Sequence, residues 1–296
     1  MEVVLSIDKL TKSYGRIKAV DELSLSIEKG NIYGILGPNG SGKTTTLGII
    51  LSILKADSGS FNWFEGQYGD NPRPKLGAIL ETPNFYPYKS GLDNLKIVAA
   101  IKNVKNFDFD HVMKIVNLEH RKTSKFRTYS LGMKQRLAIA ATMIGDPEVV
   151  IFDEPTNGLD PAGIAEVREI LIRIAESGRT VIMASHILDE VEKICTHVAI
   201  IKKGKLLADG IVGELLSNDY VIEINALDRT KLDAFIASSI AMKKISSNEK
   251  FINCLVRHDA SPDEISTLAY NNGLIINHFV AKKQSLEKEF LTITND

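Results

Sequence analysis

The strongest chemical signal in the 296-residue sequence is a glycine-rich segment that ends in Lys43 and Thr44. It matches the pattern GxxxxGK(S/T) between an apolar run and a predicted helix, where glycines let backbone N–H groups turn inward around phosphate oxygens. The helix start adds a partial positive charge. Lys43 would reach the β- and γ-phosphates of a nucleotide, and the Thr44 hydroxyl would coordinate Mg²⁺. The predicted nucleotide-binding residues here are Gly37, Pro38, Asn39, Gly40, Ser41, Gly42, Lys43, Thr44 and Thr45.

Two adjacent carboxylates, Asp153 and Glu154, follow the apolar run Val149–Phe152, which predicts a buried strand. At the end of that strand, Asp153 would hold Mg²⁺, directly or through water. Glu154 would polarise the attacking water as a general base. Two acids after a strand can also form a solvated turn, but the phosphate loop in the same chain favours the catalytic interpretation.

A third segment, Tyr129–Arg136, reads YSLGMKQR and resembles the signature motif of ABC ATPases, whose usual form is LSGGQ. Ser130 and Gly132 match that form, whereas Met133 and Lys134 replace its Gly and Gln. In the family, the Ser hydroxyl and the free N–H groups at this helix start form a γ-phosphate site that faces the phosphate loop of the opposite subunit. The resemblance therefore implies a homodimer or pseudo-dimer that sandwiches ATP, although Ser130 is also a good helix N-cap.

Three further residues occur in the order of the family's remaining motifs. Tyr14 resembles the aromatic residue that stacks on adenine, and the alternative is an ordinary tyrosine. Asp160 ends the segment Asn157–Asp160, which resembles the D-loop that contacts the partner subunit; it could equally cap the helix that follows. His186 resembles the switch histidine that touches the γ-phosphate and the general base, and the alternative is a structural histidine.

One position departs from the family pattern. The family's Q-loop offers Gln to Mg²⁺ and the attacking water, but the matching residue here is Glu81. A Glu still offers acceptor oxygens to a metal, although it cannot donate as an amide does. The stretch Glu81–Tyr86 resembles the ETPxxY-like stretches of ABC exporters of the bacitracin-resistance and lantibiotic-immunity kind. A plain acid at a helix start is the alternative for Glu81.

The elements that must position these residues alternate between strand and helix in the first part of the chain. Period-two and β-branched runs predict strands at Val3–Leu10, Leu23–Ile27, Asn31–Leu36, Glu148–Phe152, Thr180–Ser185 and Val198–Lys202. Helices are predicted at Lys43–Leu54 and Ala162–Glu176. This order predicts a largely parallel α/β sheet, the core of a P-loop NTPase of the ABC ATPase type. Residues 88–147 look helical and predict a helical subdomain inserted into an ATP-binding domain of residues 1–216.

Residues 217–296 have a different pattern and predict a C-terminal accessory domain. Their strand and helix patterns follow the order βαββαβ, a split-βαβ or ferredoxin-like α+β pattern. A capping box starts the second helix at Ser261, and an amphipathic helix is predicted from about Ser285. The segment Ser285–Leu291 resembles the SLExxFL ending of drug-exporter ATPases of the daunorubicin and bacitracin type. The alternative is a terminal amphipathic helix without that relationship.

Composition limits the setting of the protein. Apolar residues make up 44% and charged residues 25%, ordinary globular values, and the net charge of −1 gives no basic field for nucleic acid. Two cysteines, Cys195 and Cys254, form no CxxC pair and fit reduced thiols. The sequence start lacks a signal-peptide pattern, and no run approaches about 18 apolar residues. We expect a cytoplasmic protein, peripheral on the cytoplasmic face of the cell membrane, whose polytopic membrane partner supplies the spans.

With the family resemblance, these features predict the ATP-hydrolysing subunit of an ABC exporter that uses ATP and Mg²⁺ and moves an antimicrobial peptide or a drug. A soluble ABC ATPase of translation or DNA repair is the first alternative. Such proteins carry tandem cassettes or long coiled coils, whereas this chain has one phosphate loop and no sustained heptads. A regulatory ATP-binding module without turnover is the second, and the presence of Lys43, Glu154 and His186 argues against it.

Overall fold

The computed structural model describes residues 2–69, 71–80, 84–215, 220–248, 250–256 and 260–283. The chain divides into two compact units, Met1–Val212 and Gly213–Asp296. Each unit buries its own cluster of apolar side chains. None of the described helices has both the length and the apolar character that crossing a bilayer requires.

Strands of the first unit form two sheets. They are β1 (Val3–Tyr14), β2 (Ile17–Glu28), β3 (Ile32–Leu36), β4 (Ser58–Trp63), β5 (Leu76–Ile79), β6 (Val149–Asp153), β7 (Thr180–Ser185), β8 (His197–Lys202) and β9 (Lys205–Ile211). The larger sheet has the order β5-β6-β7-β3-β8-β9 and is parallel except for β9, which runs antiparallel to β8. Every residue of β3, β6 and β7 is buried, as expected for parallel strands covered on both faces. Because these three strands are adjacent and parallel, their C-terminal ends meet at one edge of the sheet.

The helices of the first unit are α1 (Lys43–Ile50), α2 (Gly91–Ile101), α3 (Phe109–Ile115), α4 (Leu131–Thr142), α5 (Pro161–Glu176) and α6 (Leu188–Ile194). The connections after β3, β6 and β7 lead into α1, α5 and α6, so each strand end at the common edge is followed by a helix start. Within residues 88–147, described without a gap, the structure contains α2–α4 and short 3₁₀ turns but no strand. Their assignment as a separate subdomain stays a prediction.

The smaller sheet, in the order β2-β1-β4, is antiparallel, and it shows why some elements escape sequence patterns. β1 continues past the predicted end at Leu10 to Tyr14. Register shifts after Ile7 and Leu10 interrupt the alternation of buried and exposed side chains, so the sequence pattern does not show this last part of the strand. The sequence patterns also fail to predict β4, β5, β9 and α6. The first half of β4 is exposed, and β5 has only four residues, too few to show a period.

The second unit contains β10 (Tyr220–Ala226), α8 (Arg229–Ser238), β11 (Met242–Ser247), β12 (Ile252–Val256), α9 (Pro262–Asn271) and β13 (Ile276–Lys283), and a short α7 (Val212–Leu215) lies at the unit boundary. Its strands form an antiparallel sheet in the order β11-β12-β10-β13. The predicted capping box is present, since Ser261 Oγ accepts from the Glu264 backbone and the Glu264 carboxylate accepts from Ser261. The helix predicted from Ser285 lies outside the described residues.

Candidate active site

The phosphate loop connects β3 to α1, and two of its glycines are required by close backbone contacts. A Cβ on Gly37 would lie 2.2 Å from the carbonyl oxygen of Ile201. Gly42 caps α1 with a φ of 106°, and a Cβ there would lie 2.1 Å from the carbonyl oxygen of Ala19. Both distances are far below van der Waals contact, so the loop adopts this path only with glycine at these positions.

Lys43, the first residue of α1, is directed into the loop. Its side chain is 5% exposed, and its ammonium donates to the carbonyl oxygens of Gly37 at 2.8 Å and Pro38 at 3.3 Å. The same Nζ lies 3.4 Å from Glu154 Oε1. A buried cation is costly unless it is paired, and here a carboxylate and two carbonyls satisfy it.

Thr44 connects α1 to the end of β6. Its hydroxyl donates to Asp153 Oδ2 at 2.7 Å, and Asp153 is buried. A hydroxyl and a carboxylate at this distance are the oxygen ligands that Mg²⁺ takes beside substrate phosphates and water. Among the described residues, no group of three or more His, Cys, Asp or Glu side chains is arranged so that it could hold a metal ion by itself. The donor set thus fits a magnesium ion shared with a nucleotide, because such a site does not need an all-protein cage.

Glu154 and His186 meet because β6 and β7 are adjacent and parallel, with Asp153 paired to Ala184. Glu154 has a φ of 50°, a region that non-glycine residues seldom occupy, and its backbone N–H donates to the Ala184 carbonyl. His186 Nδ1 lies 2.8 Å from Glu154 Oε2. The contact is a hydrogen bond when His186 carries a proton on Nδ1, because a carboxylate oxygen accepts and does not donate. The structure therefore brings Lys43, Thr44, Asp153, Glu154 and His186 into one connected cluster.

The polar contacts of Ser130 and Asp160 are local to their own helices. Ser130 Oγ accepts from the Met133 N–H at 3.3 Å and caps α4, and Asp160 Oδ1 accepts from the Gly163 N–H at 2.8 Å and caps α5. Both residues thus have the N-cap geometry that was the alternative to a nucleotide or partner contact. The two roles are compatible, because each cap lies at a helix N-terminus that attracts anions.

Two further predicted residues, Gly132 and Tyr14, make no described contact with the connected cluster. Gly132 lies in the first turn of α4, where a Cβ would meet nothing closer than Leu159 Cδ2 at 3.9 Å. Tyr14 ends β1, is 49% exposed, and has the Lys12 ammonium 5.8 Å from its ring centroid. This leaves a ring available for stacking. Glu81 lies outside the described residues.

Sequence reasoning missed a second polar pair beside the cluster. The Thr156 hydroxyl donates to Glu190 Oε2, and each residue is 2% exposed. Burial raises the pKa of Glu190 above its ordinary value, and the nearby Glu154 carboxylate adds to this, whereas the Thr156 hydrogen bond opposes it. Helical spacing was the sequence signal that could have indicated a buried Glu190, because this residue shares a face of α6 with the buried Ile194.

Comparisons with known proteins agree with this geometry. The family model described as ABC transporter matches residues 20–157. The chain is 35% identical to the bacitracin transport ATP-binding protein BcrA of Enterococcus faecalis, over 98% of this chain and 96% of that protein. It is 37% identical to the lantibiotic transport ATP-binding protein SrtF of Streptococcus pyogenes, over 70% of this chain and 90% of that protein. The solved structure of cbiO1 from Clostridium perfringens, part of the ABC transporter complex cbiONQ, is 28% identical with a TM-score of 0.66, covering 73% of this chain and 91% of that one.

Proposed function

The chain belongs to the ABC transporter ATP-binding family and is the ATP-hydrolysing subunit of an ABC transporter, and from this we propose that it powers export through a separate membrane subunit. One observation carries the catalytic part of the proposal. Both oxygens of Glu154 are held, Oε1 by Lys43 at 3.4 Å and Oε2 by His186 at 2.8 Å. A base held between a phosphate-seeking cation and an orienting imidazole suits attack of water on a terminal phosphate.

In the proposed reaction, Glu154 takes a proton from the attacking water while His186 orients its carboxylate. ATP phosphates draw Lys43 away from the loop carbonyls and from Glu154 Oε1. That oxygen is then free to accept a hydrogen bond from water. Binding of the nucleotide thus prepares the base, which ties hydrolysis to a loaded site.

Thr44 and Asp153 are the residues proposed to hold Mg²⁺, with Glu81 as a further ligand. The 2.7 Å contact between the Thr44 hydroxyl and the Asp153 carboxylate supports the first two. When bound, Mg²⁺ supplies positive charge against the phosphate oxygens. The loop from Gly37 to Thr45 is proposed to surround those phosphates.

The proposed working form is a homodimer or pseudo-dimer that closes on two ATP molecules. Ser130, Gly132 and Asp160 supply the proposed surface, at the N-terminal ends of α4 and α5. Leu131 beside them is 48% exposed and would be covered by a second cassette in this dimer. Tyr14 is proposed to stack on adenine.

The proposed location is the cytoplasmic face of the cell membrane, bound to a polytopic membrane subunit and not to nucleic acid. The names of the similar proteins, bacitracin transport and lantibiotic transport ATP-binding proteins, support a peptide antibiotic as cargo. For the second unit we propose a ferredoxin-like domain that begins near residue 217. The βαββαβ order and the sheet order β11-β12-β10-β13 support that assignment.

Purification from membranes tests the proposal. The tagged chain, expressed in its source cells, is expected to recover a polytopic membrane protein and to show ATPase activity in that complex. The Lys43→Ala chain is expected to recover the same partner without ATPase activity and without resistance to bacitracin or a lantibiotic. Recovery without any polytopic protein would refute the export role. Unchanged resistance in cells with the Lys43→Ala chain would refute only the cargo class.

A further inference from the structure

Two neighbouring connections at the edge of the large sheet are joined at two points. The connection after β6 begins with Glu154 and carries Thr156 two residues later. The connection after β7 begins with His186 and leads into α6, which carries Glu190. The first pair, His186 and Glu154, is joined at 2.8 Å, and the second pair is joined by the hydrogen bond from the Thr156 hydroxyl to Glu190 Oε2.

The second pair is unusual in its burial. Glu190 Oε1 has no hydrogen-bond partner among the described residues, and the neighbouring Val191 and Ile194 are almost fully buried. A buried carboxyl group with one oxygen outside any hydrogen bond destabilises a fold relative to a well-packed apolar side chain. The residue is therefore better explained by what it holds than by a contribution to the free energy of unfolding.

On the premise of the proposed function, we infer that Glu190 is a positioning residue for ATP hydrolysis. The Glu190 carboxyl accepts a hydrogen bond from the Thr156 hydroxyl, and this bond fixes the start of α6 against the turn after Glu154. His186 lies in the short segment before α6, so this second point of attachment limits how far its ring can move from Glu154. The Thr156–Glu190 bond adds to the bond from the Ile187 N–H to Ser185 Oγ at 3.0 Å, so the segment that carries His186 is held on both sides of the ring.

The charged groups that face Glu190 are consistent with a structural joint. Arg168 on α5, His186 and Glu154 are the charges that act on it. None of them forms a described hydrogen bond to its carboxyl, which leaves Thr156 as its described hydrogen-bond partner. Removal of either Thr156 or Glu190 should therefore have the same effect on His186.

The first test separates turnover from ATP binding in the purified transporter complex. Glu190→Ala and Thr156→Val are expected to lower kcat about tenfold, since misplacement by about 1 Å can cost up to about 100-fold. The KM for ATP should change by less than about twofold. Glu190→Gln and Thr156→Ser keep an acceptor and a donor, so their kcat should stay within about threefold of wild type. Equal losses in the Ala and Gln variants would overturn the inference, whereas a wild-type complex without ATPase activity would instead refute the proposed function.

The second test needs no turnover. In the ¹⁵N-histidine NMR spectrum of the purified chain, the His186 ring signal should move in Glu190→Ala and Thr156→Val toward its position in Glu154→Ala. Thr180→Val is the matched control, because it removes another buried threonine bond, from the Gly30 N–H at 2.9 Å, at the opposite end of β7. It should lower thermal stability without moving the His186 signal. An unmoved His186 signal in folded Glu190→Ala and Thr156→Val would overturn the inference.

Discussion

At the scale of single residues, the two groups that hold Glu154 differ in how easily they leave. Lys43 lies 3.4 Å from Oε1 and is also held by loop carbonyls, so phosphates compete for it directly. His186 follows a buried strand of the same sheet and stays beside Oε2. The positive φ of Glu154 is the kind of backbone strain found at functional sites and orients its side chain between these partners.

Glu154→Gln should separate ATP binding from hydrolysis. The amide keeps the size of the side chain but removes its basicity, so turnover should fall about 100-fold or more while ATP still binds and an ATP-bound dimer accumulates. ATPase rates with the membrane partner and size-exclusion chromatography with ATP measure both effects. Glu148→Gln is the matched control, since Glu148 precedes the other end of β6 and binds Tyr68 and Lys75. Near-normal turnover in Glu154→Gln would remove the base assignment.

Glu190 should make stability depend on pH in a defined direction. Its folded-state pKa is raised, so its neutral form contributes stability fully below the ordinary value of 4.5, and that contribution is lost as pH rises through the raised pKa. Glu190→Gln cannot ionise. The melting temperature of wild type relative to this variant should therefore fall as pH rises above about 4.5. A constant difference from pH 4 to pH 8 in thermal melts would contradict the shift.

The residues of the site differ in how far the sequence reveals them. Lys43, Thr44 and Asp153 are predictable because short segments place them at strand and helix ends, where phosphate and metal chemistry needs them. Glu190 is not, because its role depends on contact with Thr156 across 34 positions. Helical spacing separates Glu190, on the buried face of α6, from the exposed Asp189, but it does not indicate that Thr156 is its partner.

At the scale of elements, the phosphate loop is determined by what its backbone touches. Gly42→Ala would place a methyl group 2.1 Å from the Ala19 carbonyl at a φ of 106°, so the loop must shift. Backbone strain of about 1–3 kcal/mol alone corresponds to roughly 5-fold to 150-fold in ATP affinity. Gly30→Ala is the matched control, because Gly30 has a φ of 82° with nothing within 4 Å of a Cβ. Nucleotide titration should show weakened binding only in Gly42→Ala; equal affinities would contradict a fixed loop path.

Elements with a continuous apolar run are predictable, and those shaped by long-range pairing are not. The predicted strand Thr180–Ser185 agrees with β7 in both bounds, because each residue is buried and β-branched or small side chains dominate. β1 extends beyond its predicted end because its register shifts depend on β2 and β4. The edge strand β9 alternates between half-buried and exposed residues, and its place is set by pairing with β8.

At the scale of the whole molecule, coupling to the membrane partner should depend on Glu81. If this residue coordinates Mg²⁺ or positions water, Glu81→Gln should be partly tolerated because the amide oxygen still accepts, whereas Glu81→Ala removes every acceptor. Export or resistance should fall further in Glu81→Ala than the basal ATPase of the isolated chain. Transport and ATPase rates for wild type and both variants decide this. Equal export by all three chains would show that Glu81 has no role in export. That is the result expected for a solvent-facing acid, since surface substitutions usually change stability by less than about 0.5 kcal/mol.

The two units have separate cores, which leads to a prediction about truncation. Every described residue with a proposed nucleotide role lies in Met1–Val212, whereas the buried cluster of the second unit is drawn from its own strands and helices. A chain ending at residue 216 should therefore fold and bind ATP. Circular dichroism and nucleotide titration measure both.

Two control truncations separate the loss of a unit from damage to it. A chain ending at residue 283 keeps β13 and all described residues of the second unit, so its melting temperature and ATP affinity are the reference for the shorter chains. A chain ending at Ser239 keeps β10 and α8 but loses Ile252, Cys254 and Ile265, so the apolar faces of its remaining elements stay uncovered and it should aggregate. Insolubility or lost ATP binding of the 216-residue chain, with the 283-residue chain intact, would show that the second unit is needed to fold the first.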